Sequence, residues 1–222
     1  MTPTEKTDDL ALTDARVEYI EDLDLLVFQQ DVDGEAGGTV PEANGALDGA
    51  PVLGYVFPTT LSPGDVWFED VSEDAIVALV VVSHPDFDDT PLWDENNDGD
   101  FDNDGAVYHT HWVALTEDDR VSGGLAVEEM SEGEIESTLP PTNPGMPMYM
   151  DSPGFSVVLQ GSMLKVLVPA QRVHHNTGFQ FDAASAYMEV NQSDEGRPLL
   201  GVYEVYGVLS GDLSLPYEVT QS

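Results

Sequence analysis

Apolar and polar residues alternate along this chain in short runs, and no run keeps a helical period for long. Ala75 to His84 is the most apolar segment, β-branched at most positions, which predicts a central strand covered on both faces. Ala106 to Leu115 predicts a second strand. One of its faces reads Val107, His109, His111, Val113, Leu115, and the other reads Ala106, Tyr108, Thr110, Trp112, Ala114. Pro51 to Pro58 is a strand stopped by proline, and Gly154 to Gln160 with Ser162 to Val168 predicts a hairpin around Gly161. Val17 to Val32 holds one or two strands, and Gly123 to Met130, Gly178 to Ala183, Leu199 to Leu209 and Tyr217 to Thr220 add short ones. Ala183 to Val190 fits either a strand or a helical turn. Between these lie a Gly- and acid-rich loop from Asp33 to Ala50 and a Pro-, Met- and Gly-rich excursion over residues 131–153. The pattern predicts an all-β fold, a single β-sandwich or distorted β-barrel of about nine to eleven strands with long acidic loops. Residues 1–14 read as a flexible polar leader and 15–222 as one β-rich domain.

Composition changes this picture in two ways. With 41% hydrophobic residues the 222-residue chain can bury a sizeable core, so its charge does not imply disorder. That charge is extreme: 43 acidic residues face 6 basic ones, for a net −37. The acids are dispersed rather than gathered in a tail. Dispersed Asp and Glu with almost no Lys resembles the proteins of halophiles, where dissolved salt screens the self-repulsion. The same balance argues against nucleic acid, since no basic stripe can neutralise phosphates, and against docking on anionic membranes. No apolar run is long enough for a transmembrane span, and the first residues carry no apolar signal region. There is no cysteine, so a transition-metal site must be built from His and carboxylates.

Two stretches carry candidate chemistry. Asp94-x-Asn96-x-Asp98-Gly99 and Asp100-x-Asp102-x-Asp104-Gly105 repeat one pattern. Alternate residues in a tight loop turn their oxygens to one side, where a hard cation sits, and the glycine permits the sharp turn. The pattern resembles the Asp-x-Asp-x-Asp-Gly calcium loops of EF-hands, dockerins and thrombospondin type 3 repeats. The resemblance implies calcium held by Asp94, Asn96, Asp98, Asp100, Asp102 and Asp104. The chain departs from the EF-hand where a bidentate Glu is required, since Gly105 or His111 stands there, and no flanking helices are predicted. A remote acid such as Asp86, Asp88, Asp89 or Glu117 would complete the coordination.

The second stretch is His109-x-His111, two imidazoles on one strand face among valines and leucine. A third ligand from His174 or His175, or from His84, would make a three-histidine site suited to zinc, copper, manganese or iron. The pair also occurs in the first motif of cupins, but here Glu117, Gly123 and the upstream glycine fall at other spacings, and that family is not carried over. No nucleophile elbow, phosphate loop or His-Glu-x-x-His helix is present. The alternative to ligation is that the histidines hydrogen-bond within a polar core layer.

Three functions follow as expectations. The first is a calcium-stabilised, halophilic metal-binding protein of extracytoplasmic type, because loops of this kind fill where calcium is abundant; the cytoplasm of a halophile is the other compartment. The second is a metal-dependent hydrolase or oxidoreductase with the metal on His109 and His111 and Glu117 as candidate base. The third is a carbohydrate-binding β-sandwich using Trp67, Trp93 and Trp112. Met146, Met148 and Met150 could suggest a soft-metal site, but flanked by prolines and a glycine they read as a lid or a gap-filling apolar loop.

Overall fold

A computed structural model describes residues 5–42, 46–84, 107–131 and 138–222. The fold is all-β, as the alternation predicts. Strands β1 (Leu12–Ile20), β2 (Leu25–Val32), β3 (Ala50–Pro58), β4 (Ile76–Ser83), β5 (His109–Glu117), β6 (Leu125–Val127) and β7 (Met150–Asp151) come first. They are followed by β8 (Ser156–Gln160), β9 (Met163–Pro169), β10 (Gln180–Phe181), β11 (Ala184–Val190), β12 (Leu200–Val208), β13 (Tyr217–Glu218) and β14 (Thr220–Gln221).

Two sheets divide the work. One has the order β14-β1-β2-β9-β8. The other runs β4-β3-β11-β12-β6-β5-β7, and an additional pairing of β4 with β5 closes six of its strands into a barrel. β5 therefore carries β4 on one edge, in register Val80 to His111 and Val82 to His109, and β6 and β7 on the other. Closure removes free edges from this sheet and makes its strands tilt. The irregularities between Ser185 and Ala186 and between Tyr187 and Met188, where β11 meets β12, are the bulges that let a small barrel bend.

Because side chains alternate, the barrel wall serves two cores at once. Inward go Val52, Val56, Val80, Val82, Val113 and Met188, among others, filling the lumen. Outward go Leu53, Tyr55, Phe57, Leu79, Trp112 and Tyr187, which pack on Val17, Leu26, Phe28, Leu164 and Val166 of the first sheet. Phe28 is the hub of this layer, with Phe57, Phe179 and Trp112 at ring-centroid distances of 5.3, 5.9 and 6.3 Å. Gly54 faces the lumen because nothing larger fits: a Cβ there would lie 2.8 Å from the Met188 methyl.

Outside the strands the chain is also well tied. The hairpin of β8 and β9 turns at Gly161 in the left-handed region (φ +59), as its sequence suggests. Ala184–Val190, ambiguous in sequence, is a strand because both neighbours supply full ladders. Within the first 14 residues, Asp8–Leu10 forms a 3₁₀ turn, Leu10 is fully buried and β1 has begun by Leu12. The Asp9 carboxylate accepts from Glu35 N and Thr39 Oγ1, and its carbonyl accepts from the Tyr55 hydroxyl, so this stretch clamps the loop that follows β2. No helix among the described residues is long and apolar enough to cross a membrane.

Candidate metal centre

His109 and His111 reach the lumen by strand alternation, on the same face of β5 as Val113 and Leu115. His84 follows β4 and shares the parity of Val80 and Val82, which also face inward. Pairing of β4 with β5 then brings the three rings together. Their exposures are 2% for His84, 2% for His109 and 1% for His111, so bulk water does not solvate them.

Each ring offers one nitrogen, and the three nitrogens lie within 4.8 Å of one another. The His84 and His109 Nε2 atoms are 3.1 Å apart, and the two rings stand almost perpendicular at 86°. The His109 ring meets the His111 ring at 77°, with centroids 4.8 Å apart. His109 Nδ1 lies 2.8 Å from the Val107 carbonyl, which can only accept. That bond fixes the proton on Nδ1 and leaves a lone pair on Nε2, the orientation a metal ligand needs. His84 Nε2–H therefore donates to His109 Nε2. His111 is braced from the opposite side, with Nδ1 3.0 Å from Ser152 Oγ and a further hydrogen bond to the Asp151 backbone.

Burial sets the electrostatics. Desolvation holds the His111 pKa down at about 3, with His84 adding to the effect. Desolvation also drives His109 well below the usual imidazole value, with His111 and His84 contributing. Both rings are thus neutral throughout the physiological range, the form in which an imidazole can bind a metal. Behind them Asp151 is 1% exposed, takes a 2.5 Å hydrogen bond from Thr142 Oγ1 and lies 3.7 Å from Arg172. Burial raises its pKa despite those partners. Its place in β7, opposite Trp112, carries Ser152 to His111.

The other sequence candidates are distributed elsewhere. His174 and His175 follow the 3₁₀ turn Ala170–Val173 with positive φ. The His174 ring lies 4.1 Å from that of Trp67, and His175 Nδ1 is 3.3 Å from Asp24 Oδ1 at the surface. Neither joins the buried cluster. Glu117 ends β5, six residues and roughly 20 Å of strand from His111. Trp112 is 1% exposed in the outer core and Trp67 is 52% exposed. Asp94, Asn96, Asp98, Asp100, Asp102 and Asp104, with Asp86, Asp88, Asp89 and Trp93, lie outside the described residues. Sequence reasoning gave no part to Ser152, because its contact with His111 depends on where the proline-rich excursion returns to the barrel.

The fold and site define a class in structural terms: a closed β-barrel backed by a second sheet, with a buried three-histidine cluster that can hold a metal. Compared with known proteins, the chain matches no protein family, no curated protein and no solved structure.

Proposed function

We propose that this is a metal-binding protein in which His84, His109 and His111 hold one first-row transition ion: zinc, copper, manganese or iron. The observation that carries the reading is the pair of Nε2 atoms turned toward each other at 3.1 Å in a fully buried site. Two imidazoles on a tetrahedral ion at about 2.0–2.1 Å stand roughly 3.3 Å apart, close to the spacing found. An ion would also replace a marginal contact between neutral rings by strong bonds, and the Val107 carbonyl already orients one ligand for it. Calcium on Asp94, Asn96, Asp98, Asp100, Asp102 and Asp104, a high-salt habitat and an extracytoplasmic location complete the proposal. Sequence pattern and charge alone support those parts.

The ligand count favours a second reading, a metal-dependent hydrolase or oxidoreductase. Three protein ligands leave a tetrahedral ion one open position, the arrangement that catalytic sites keep. Glu117 is too far along β5 to act as its base without an intervening group.

The test is metal titration of chelator-treated protein, read by elemental analysis and calorimetry. Stoichiometric binding of a transition ion, lost in His109→Ala and in His84→Ala but kept in His174→Ala and His175→Ala, is expected. Loss of an outer ligand atom of this kind weakens such sites by about 10–100-fold, and loss of a direct ligand by more. Binding that survives both cluster substitutions would overturn the assignment.

A further inference from the structure

We infer that the barrel lumen is a binding pocket for a small apolar molecule, which it presents to the imidazoles of His84 and His111. A cavity of about 60 Å³ lies inside the barrel, bounded by valines, leucines, alanines and the methionines Met148, Met150 and Met188. Among the described residues of its lining, His84 and His111 are the only side chains with a strong hydrogen-bonding group, and they sit together. On β4, lumen-facing residues run from Ala78 near Pro58 to His84, roughly 20 Å of strand. Pro58, Val205 and Leu213 bound the cavity too, and Val205 is 39% exposed, so the lumen wall reaches the surface there.

The chemistry of the lining selects the guest. A sugar, peptide or phosphate would lose its water and find partners only at two rings, leaving its other polar groups desolvated and unpaired. An apolar guest loses nothing of the kind and gains contact with walls already buried. The volume corresponds to roughly four or five water-sized spheres, which suits a molecule of about two to five heavy atoms: a diatomic gas such as dioxygen or a short hydrocarbon. Methionines are apt walls for such a pocket, since the thioether chain adapts to a guest without strain. The pocket stands on the lumen alone. Only the placing of the guest at the open position of an ion rests on the three-histidine reading.

Xenon and propane are the probes, applied under pressure to the metal-free protein and followed by NMR. Expected are saturable shifts of the His84 and His111 ring protons and of the Met148, Met150 and Met188 methyls, with the Val17 and Leu164 methyls of the outer core unmoved. Shifts with both gases assign a hydrocarbon-sized pocket, and shifts with xenon alone assign a dioxygen-sized one. In Ala186→Leu the added carbons fill the lumen, and xenon affinity should fall about tenfold while metal binding stays. Circular dichroism verifies that the variant is folded; if it is not, the smaller Ala186→Val change should weaken xenon partially. Absence of saturable shifts, shifts confined to the outer core, or undiminished xenon binding in a folded Ala186 variant would overturn the pocket. If xenon binds yet no transition ion does, the pocket stands and the metal reading fails.

Discussion

Removing the proton-binding capacity of His111 should flatten the acid side of this protein's stability curve. In an unfolded chain an imidazole titrates near 6.5, whereas in the fold His111 stays neutral down to about pH 3. Below 6.5 the unfolded chain therefore binds a proton that the folded protein refuses, so stability falls as pH falls and the fall continues to about 3. At about 1.4 kcal/mol per pH unit, His111 alone costs about 2 kcal/mol by pH 5 and roughly 5 kcal/mol in full. His109 acts in the same direction. His111→Gln cannot take up the proton, and at neutral pH it loses mainly the hydrogen bonds to Ser152 and Asp151, about 1 kcal/mol. The assay is urea unfolding of chelator-treated protein in molar potassium chloride from pH 7.5 down to 4.5. Both proteins carry the same carboxylates, so their titration cancels in the difference. Wild type should start more stable and lose the advantage between pH 6.5 and 5. Parallel curves over that interval would refute the claim that burial keeps His111 neutral.

Other outcomes follow from the same structure. Phe28→Ala, which empties the aromatic hub between sheet and barrel, should destabilise by about 3–5 kcal/mol in chemical denaturation while leaving metal stoichiometry unchanged, since no histidine touches Phe28 through the barrel wall. Dialysis from molar salt into dilute buffer should unfold the protein or lower its melting temperature sharply, because the net charge of −37 then repels unscreened; an unchanged melt would remove the halophilic proposal. Calorimetry of chelator-treated protein should show calcium binding that Asp98→Ala and Asp102→Ala weaken, and no calcium heat would eliminate the proposed loop.

Local alternation made much of the barrel wall readable. The two faces of β5 divide as their parity requires, with His109, His111, Val113 and Leu115 inside and Trp112 and Ala114 outside. The run before His84 is apolar on both faces because its strand separates two cores. The choice of third histidine was not readable. His174 and His175 sit next to each other at the end of an apolar segment and look as suitable as His84. What decides is the pairing of β4 with β5, a contact made across the whole acidic segment, and no periodicity encodes it. Met146, Met148 and Met150 read in sequence as a lid or as filler, and their burial in the lumen core decides for filler. That Asp151 of β7 and Ser152 just after it brace His111 is again a long-range fact.

The pairing that creates the cluster also bears on how the chain folds. β3 must find β11 from the far half of the sequence, and β1 must find β14 at the opposite end, so much of the fold rests on slow, non-local encounters. β4 and β5 are consecutive strands, with His84 and His109 only 25 positions apart. The cluster thus closes a far shorter loop than the pairings of β3 with β11 or β1 with β14, and its nitrogens can converge before those distant strands arrive. An ion captured at that stage would act as a nucleus, holding two of the wall strands in register while the others search, and its presence would speed refolding as well as slow unfolding.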